Sequence, residues 1–529
     1  MANFTSSPGV SLNEIDKSFI SPAPIQVGAA IIGPAVKGPV EVPTVVTSYS
    51  DFKSRFGGVF TSGSDTFSYL TAISAYNYFT EGGESLLVAR VVSASADYTS
   101  ATSSLAGTHL HPTSASVVFE TISKGTVMNS NGTLNSDGSI SSGAHGDGTE
   151  DNIRWEITNS NTGSGTFNVI IRQGNDKKDD KIILETFNNV SLDPKGNNFI
   201  SKVIGDEVLE YDSTTNQIDI SSGTFPNQSR FVRVKSIANQ TPDYLNNSGN
   251  PASAAYSSSI PINSSGSFAG GVGTDIPNHE AAKFYKDIAA QTQGLIGSDY
   301  NNMINLLANT NDYKFNILSA PGLTNDNHTA QISSIINNTI DRGDNIFILD
   351  TVDYDGSLGN AITQAQTRNT SYAATYWPWL QIQDPETGKF VFVPASTLIP
   401  GVYAFNDKIA NTWNAPAGIS RGGLSTVLRA KLKLTEANKS DLYTANVNPI
   451  ATFPRKGVVV FGQKTLQKAA SALDRVNVRR LLIDLKSFIG QVADTIVFEQ
   501  NTATTRNKFI AEVTPFLETI QQKGGLYAF

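Results

Sequence analysis

The chain has 529 residues, of which 39% are hydrophobic and 16% charged, with 39 Lys and Arg against 47 Asp and Glu and no cysteine. This length is too great for one hydrophobic core and indicates about three or four domains. The net charge of −8 argues against direct nucleic-acid binding, and the lack of cysteine excludes disulfides, thiol catalysis and cysteine-ligated zinc.

Residues 1–24 form an extended arm rich in Ser and Pro. Val10, Leu12 and Ile15 supply too few apolar groups for a core, so the arm is either unstructured alone or adds as a strand to another surface. The N-terminus has no secretory signal pattern, and no segment approaches the roughly 20 apolar residues of a membrane span. We therefore expect a soluble protein made in a host cytoplasm, without stable membrane insertion.

Residues 25–92 have the pattern of a β-α-β unit and form the first part of an α/β core domain. Strands are predicted at 27–32, 42–46 and 85–92, and helices at 50–57 and 64–79. A helical crossover of this kind favours a parallel pair of strands.

From residue 93 to residue 265 the composition shifts to Ser, Thr, Asn and Gly with short alternating runs. These runs predict strands at 153–158, 166–172, 181–186 and 230–234, and a low-complexity loop at 126–150. We interpret the region as one or two inserted, β-rich outer domains.

Helices and strands alternate again in residues 266–417, which we assign to the second part of the core domain. Helices at 299–308, at 329–340 and near Ala361 precede strands at 315–318, 345–349 and 372–382. We expect these strands to share one sheet with residues 25–92. Residues 418–529 complete the chain as an α+β C-terminal domain, so the predicted fold class is multidomain α/β and α+β with a mostly-β insertion.

The C-terminal domain is organised around residues 471–501. Alternation predicts a short strand at 475–480, followed by a long helix with a further helix at 505–522. The first helix would bury a wide apolar face, made of one stripe formed by Leu482, Leu485, Ile489, Val492 and Ile496 and a second stripe formed by Leu481 and Phe488. Arg479 and Arg480 must either pair within the chain or face a partner.

The residues that could carry chemistry form no convincing catalytic or metal site. Of the five histidines, only His109 and His111 are close in sequence, without a third ligand. The glycine-rich run at 270–275 lacks the Lys-Ser/Thr of a P-loop, and the acidic run at 353–356 lacks a closing carboxylate for calcium. The Gly-x-Ser-x-Gly run at 418–422 has no histidine after it. Trp377, Trp379 and Trp413 fit a packed core better than a sugar platform. We therefore predict no enzymatic activity and no cofactor.

Many short motifs occur in an order that resembles the contractile phage tail sheath family. Near the start these are Ser7-Pro8-Gly9-Val10 with Asn13-Glu14-Ile15, Ile32-Gly33-Pro34-Ala35 with Lys37-Gly38-Pro39, and Phe56-Gly57-Gly58. Later ones are Tyr376-Trp377-Pro378-Trp379, Val393-Pro394-Ala395-Ser396, the 400–407 segment ending in Asp407, Trp413-Asn414-Ala415-Pro416-Ala417-Gly418, and the stretch from Val476-Asn477-Val478-Arg479-Arg480 to Val497-Phe498-Glu499-Gln500-Asn501. Together they span about half the chain, whereas residues 93–265 show little of the pattern.

This resemblance implies a structural subunit that polymerises as stacked, hexameric rings around an inner tail tube and contracts to drive the tube through a cell envelope. The implied partners are other copies, the tube protein, and baseplate and tail terminator proteins, and the implied location is the virion. A terminal arm would donate a strand to a neighbour, here through Ser7, Pro8, Gly9, Val10, Leu12 and Ile15. Family members usually continue past Gly524-Gly525-Leu526 with a segment that supplies a C-terminal arm, so strand donation from that end is in doubt here.

The clustering of Arg475, Arg479, Arg480 and Lys486 in an acidic chain suggests a tube-facing surface, with internal ion pairing as the alternative. Two other functions stay open. One is the sheath of a phage-derived bacteriocin or injection machine, which genome context would separate. The other is a surface adhesin, which the Ser/Asn/Gly-rich region would suit.

Overall fold

A computed structural model describes residues 25–62, 65–94, 97–106, 115–130, 148–177, 179–273, 285 and 291–529. The strands in this described part are β1 Ile25–Gly33, β2 Thr44–Val46, β3 Phe60–Ser62, β4 Asp65–Phe67, β5 Leu86–Arg90, β6 Ser100–Ala106, β7 Ala115–Lys124, β8 Ile153–Asn161, β9 Thr166–Gln173, β10 Ile183–Ser191, β11 Val208–Asp212, β12 Gln217–Ser222, β13 Val232–Ile237, β14 Ser264–Ser267, β15 Gln291–Thr292, β16 Leu295–Ile296, β17 Tyr313–Thr324, β18 Ile346–Asp350, β19 Ala373–Trp377, β20 Leu380–Gln383, β21 Phe390–Val393, β22 Val427–Ala430, β23 Val447–Phe453 and β24 Gly457–Val460. The helices are α1 Tyr49–Phe56, α2 Leu70–Thr80, α3 Ile200–Ile204, α4 Ala254–Ser259, α5 Asn301–Leu306, α6 Thr329–Arg342, α7 Leu358–Gln366, α8 Ile399–Ile409, α9 Glu436–Thr444, α10 Val476–Asp494 and α11 Ala503–Gln522.

An eight-stranded sheet in the order β2-β5-β1-β17-β18-β19-β23-β24 is the centre of the fold. The six inner strands are parallel, and β2 and β24 are antiparallel edge strands. β1 and β17 are adjacent although the whole β-rich region, residues 93–265, separates them in sequence. Strands before and after that region therefore share one sheet, as the sequence predicts.

Both faces of this sheet are covered, because side chains along β1 alternate between two cores. Ala29 and Ile31 point into a core that includes side chains of α1, α2 and α8, while Ala30 and Ile32 point into a core that includes side chains of α5, α6 and α7. Burial on both faces explains why the strands are continuous apolar runs without alternation.

The β-rich region has a third core of its own. It contains a four-stranded antiparallel sheet, β10-β9-β8-β14, and a three-stranded one, β13-β7-β6, whose inner residues include Phe119, Phe167 and Phe268. The four strands predicted in this region are confirmed as β8, β9, β10 and β13.

Buried cations join this region to the sheet. The Arg90 guanidinium, at the end of β5, donates to the carbonyls of Ala35 at 3.2 Å, Gly38 at 2.7 Å and Lys124 at 3.0 Å. One side chain therefore connects the loop between β1 and β2 to the end of β7. Lys37 Nζ likewise donates to the Asp151 carbonyl at 2.8 Å.

Three local predictions are wrong. The helix predicted at 64–79 begins only at Leu70, because residues 60–67 form the β3–β4 hairpin that stacks Phe60 on Phe67. The single strand predicted at 372–382 is divided into β19 and β20, since Pro378 has no N–H for a sheet ladder.

The strand predicted at 475–480 is the start of helix α10. The alternation of apolar and polar residues there is compatible with a helix as well. The aliphatic parts of Arg479 and Arg480 are buried, and their guanidinium groups donate hydrogen bonds to residues of the same chain. The buried face also differs from the prediction. Leu481 and Leu485 are buried as predicted, but Ile483, which was in neither predicted stripe, is buried as well, and the C-terminal half of the first stripe, including Ile489 and Val492, is only half-buried.

Candidate functional site

Two arginines near the start of helix α10, Arg479 and Arg480, have side chains that are buried within the chain. Arg480 donates from both terminal nitrogens to Asp407 of α8, at 2.8 and 2.5 Å, and its guanidinium lies 4.8 Å from the ring centre of Tyr403. Burial opposes the charged form, but the Asp407 carboxylate keeps the pKa of Arg480 above its ordinary value. This bidentate pair joins α8 to α10.

Arg479 is buried on the other side of the same turn. Its guanidinium lies 4.1 Å above the Tyr372 ring and donates to Ser371 Oγ, and burial lowers its pKa. Neither arginine is at the surface of the described structure. Arg480 forms the internal ion pair that was the alternative, whereas Arg479 is held by an aromatic ring and a hydroxyl group.

Arg475 and Lys486 differ from these two arginines in being accessible. Arg475 is half-buried, donates to the Tyr443 hydroxyl and lies 3.2 Å from Asp474. Lys486 is exposed, with Nζ 3.5 Å from the Tyr372 hydroxyl. Arg475, directly before α10, and Lys486, on α10, are therefore the two members of the cluster that solvent can reach.

Helices α10 and α11 pack together as a C-terminal hairpin with a small core of its own. Leu481, Leu485 and Ile520 are buried between them, and Phe488 stacks on Phe516 with ring centres 3.9 Å apart. Trp413 also packs against this cluster, which ties the hairpin to the loop after α8.

A buried carboxyl group holds the segment before α8 against the central sheet. Asp350, at the end of β18, is 4% exposed and accepts from Ser396 N at 3.1 Å and from Ser396 Oγ. The carbonyl of Ser396 in turn accepts from Ser319 Oγ of β17 at 3.0 Å. Burial raises the pKa of Asp350 to about 7, although the Ser396 hydrogen bonds partly oppose this.

The other residues singled out in the sequence have structural roles or lie outside the description. Trp377 and Trp379 are buried, and Trp379 Nε1 donates to the Val352 carbonyl at 3.1 Å. His328 is buried and accepts from Thr324 N, and burial lowers its pKa. Among the described residues, no group of His, Cys, Asp and Glu could hold a metal ion. Ser420 of the Gly-x-Ser-x-Gly run lies in an exposed loop.

Several predictions fall on residues that the structure does not describe. These are the arm residues Ser7, Pro8, Gly9, Val10, Leu12 and Ile15, together with His109, His111, His145, His279 and the end of the 270–275 run.

The sequence analysis missed the partners of the buried arginines. Tyr403 and Asp407 stand four residues apart on α8, a spacing that places them on one helix face, and this was the available signal. No α-helix in the described ranges combines the length and the hydropathy needed to cross a lipid bilayer.

Comparison with known proteins gives a family for the central part of this chain. Residues 297–466 match the family described as phage tail sheath protein central domain. The tail sheath protein of Vibrio phage KVP40 is 35% identical over 175 residues, which are 33% of this chain and 26% of the relative. The tail sheath protein of Enterobacteria phage T4 is 35% identical over 138 residues, 26% of this chain and 21% of the relative. The chain thus aligns with about a quarter of the length of these relatives.

The fold extends the similarity beyond the aligned sequence. A crystal structure of a sheath tail protein from Listeria innocua matches 94% of this chain and 85% of its own, with a TM-score of 0.53 and 12% identity. The match to the phage tail sheath protein central domain is therefore confined to residues 297–466 of this chain, and the two relatives that align with the chain are both tail sheath proteins.

Proposed function

We propose that this protein is the structural subunit of a contractile phage tail sheath. The observation that carries the proposal is the sheath central domain at residues 297–466, which includes the inner strands β17, β18 and β19 of the central sheet. The subunits polymerise as stacked hexameric rings around an inner tail tube, in the tail of the virion. The ends of the array bind baseplate and tail terminator proteins.

Contraction in this proposal requires one chain to adopt two subunit packings that differ by a modest free energy. A doubly covered parallel sheet with a buried polar tie, such as that of Asp350 with Ser396, suits a body that moves without deforming. The proposed bodies are a core of residues 25–92 and 266–417, an outer region of residues 93–265 and a C-terminal domain of residues 418–529. Residues 1–24 form the arm.

The arm keeps neighbouring subunits connected while these bodies rotate. We assign this role to the segment from Ser7 to Ile15, which would add a strand to a neighbour's sheet. Strand addition suits a segment whose few apolar residues cannot form a core of their own.

The tube-facing surface is assigned to two accessible cations, Arg475 directly before α10 and Lys486 on α10. Lys486 is supported by its exposure and by its place beside a polar cleft that also contains Lys314, Arg342 and Asp494. A hydrated surface of this kind suits a contact that must slide or release during contraction.

Negative-stain electron microscopy of the purified protein, alone and with its tube protein, tests the function. Hollow tubes or stacked rings are expected in at least one condition. Monomers in both conditions would contradict the proposal and would favour the adhesin alternative. The bacteriocin or injection-machine alternative uses the same subunit, and genes for a capsid beside the gene for this chain would exclude it.

A further inference from the structure

Lys37 and Asp151 place an amine and a carboxyl group side by side between the central sheet and the β-rich region. Lys37 lies in the loop between β1 and β2, and Asp151 lies two residues before β8, 114 residues further along the chain. Lys37 Nζ is 3.6 Å from Asp151 Oδ1, and the two side chains are only 6% and 13% exposed. In the described part of the chain, neither side chain has another oppositely charged group within 4 Å, so each is the sole counter-ion of the other.

Backbone contacts hold the two side chains in this position. The Lys37 N–H donates to the Phe56 carbonyl at 3.0 Å, and Lys37 Nζ donates to the backbone carbonyl of Asp151 at 2.8 Å. The Asp151 N–H donates to Thr149 Oγ1 at 3.3 Å. Gly57 leaves room for the carboxyl group, because a Cβ at this position would lie 3.0 Å from Asp151 Oδ1. The amine therefore meets the carboxyl group in an arrangement that folding alone produces.

Burial favours the uncharged form of both groups. It lowers the pKa of the Lys37 ammonium group, although the charge of Asp151 partly opposes this. It raises the pKa of the Asp151 carboxyl group, although the charge of Lys37 partly opposes this. Because both shifts favour neutrality, the site holds an amine with a free lone pair beside an un-ionised acid.

This combination is the one that amide formation requires. A lysine amine becomes a nucleophile when it is desolvated and loses its proton, and an un-ionised carboxyl group is open to attack at its carbon atom. Fixed contact between the two groups also removes most of the entropy cost of bringing them together.

We propose that Lys37 and Asp151 condense to an isopeptide bond, which links the β1–β2 loop to the β-rich region. Lys37 Nζ attacks Cγ of the protonated Asp151 carboxyl group and forms the new C–N bond. The C–O bond to the hydroxyl oxygen breaks, and this oxygen leaves as water with its own proton and one proton from the amine. The step involves no oxidation or reduction and needs no further reactant.

Glu150 transfers the proton between the amine and the leaving oxygen. It directly precedes Asp151, is exposed to solvent, and its negative charge raises the pKa of both Asp151 and Lys37. A carboxylate in this position can accept the amine proton and return it to the leaving oxygen, directly or through one water molecule.

The bond goes beyond the proposed sheath function and does not depend on it. It closes a covalent loop from residue 37 to residue 151, which includes β2 to β7 and so contains elements of both the central sheet and the β-rich region. Such a link limits how far the two regions can separate, even when their noncovalent contacts are lost.

Mass spectrometry of the denatured full chain tests the bond. The wild type should be lighter by one water than its sequence requires, whereas Lys37→Arg, which has no amine, should have its full mass. Trypsin does not cut at an acylated lysine, so it should release a branched product in which residues 18–53 are joined to residues 125–154. A wild-type peptide that ends at Lys37, or a water loss confined to a single peptide, would overturn the proposal. The wild-type digest gives this result even if Lys37→Arg fails to fold.

Lys53→Arg is the matched control. Lys53 Nζ lies 2.8 Å from Glu386 Oε2, which is closer than Lys37 Nζ lies to Asp151 Oδ1, but the Lys53 side chain is 38% exposed and stays charged. Lys53→Arg should therefore keep both the mass deficit and the branched product, and loss of either would overturn the assignment to Lys37. Glu150→Gln should lower the linked fraction of freshly purified protein at least tenfold. Complete linkage in Glu150→Gln would overturn the role of Glu150 in proton transfer.

Discussion

Arg480 of α10 and Asp407 of α8 form a bidentate ion pair in which the arginine side chain is 3% exposed and the aspartate 31%. The pair is 73 residues apart in sequence and is one of the polar ties between the central domain and the C-terminal hairpin, together with the hydrogen bond from Arg479 to Ser371. Because the two partners are buried to different extents, removing one is not equivalent to removing the other.

We expect Asp407→Ala to destabilise the protein more than Arg480→Ala. The first change leaves a buried guanidinium without its counter-ion, which costs about 3–5 kcal/mol. The second leaves a carboxylate that water can still reach, so its cost should be about 1–2 kcal/mol. Urea unfolding followed by tryptophan fluorescence measures both, since Trp413 packs on the hairpin core.

The exposed pair of Lys195 and Asp243 is the matched control for this comparison. Both side chains are more than half exposed, so Lys195→Ala should leave the unfolding midpoint unchanged. Equal losses from Asp407→Ala and Arg480→Ala would show that the buried guanidinium finds another partner.

The pH dependence of stability should contain a contribution from Asp350. Its folded-state pKa of about 7 lies above its ordinary value of 3.8, so the folded state binds the proton more tightly. Stability from this group is therefore greatest below about pH 4 and falls as the pH rises to about 7, by roughly 4 kcal/mol at most. Asp350→Asn cannot titrate, so its stability relative to the wild type should rise between pH 5 and pH 8.

Unfolding midpoints of the two proteins at pH 5, 6, 7 and 8 give this difference directly. Asp355→Asn, at an 84% exposed side chain, is the control and should show no such trend. A constant difference between wild type and Asp350→Asn would mean that Asp350 keeps its ordinary pKa.

Much of the central sheet could be predicted from sequence because its signals are local. The buried run at 27–32 and the helix predicted at 50–57 depend only on nearby residues, although that helix begins at Tyr49 and is capped by Ser48. The alternation of helix and strand predicted that strands on both sides of the β-rich region share one sheet, but not that β1 pairs with β17. The inner strands could be recognised in the sequence because burial on both faces makes them continuous apolar runs.

The arginine site could not be predicted because its determinants are distant in sequence. Val476 and Val478 alternate with polar residues, a pattern that a strand and an arginine-anchored helix share. Only the positions of Tyr372, Tyr403 and Asp407 decide between surface and interior for Arg479 and Arg480. The positive charge of the cluster Arg475, Arg479, Arg480 and Lys486 could not show that Arg479 and Arg480 are buried.

Arg90→Lys should loosen the attachment of the β-rich region to the central sheet. A lysine ammonium cannot reach the three carbonyls that the planar guanidinium satisfies, and each buried carbonyl left without a donor costs about 1–3 kcal/mol. Limited proteolysis should then cut faster near Lys124, and the thermal midpoint should fall. Arg455→Lys, at an exposed turn, should change neither. Unaltered cleavage in Arg90→Lys would assign the attachment to other contacts, such as Lys37 with Asp151.

Charge reversal on α10 should separate tube binding from folding. Lys486→Glu changes an exposed side chain, so the protein should fold normally, but assembly on the tube protein should fall at least tenfold if this face meets the tube. Arg479→Glu, by contrast, places a carboxylate against Tyr372 in a buried position and should unfold the hairpin before it affects any partner. Lys523→Glu is the control, because it makes the same charge change at an exposed position after α11. Co-sedimentation with tube protein and circular dichroism distinguish the three variants. Normal assembly of Lys486→Glu would remove α10 from the tube-facing surface.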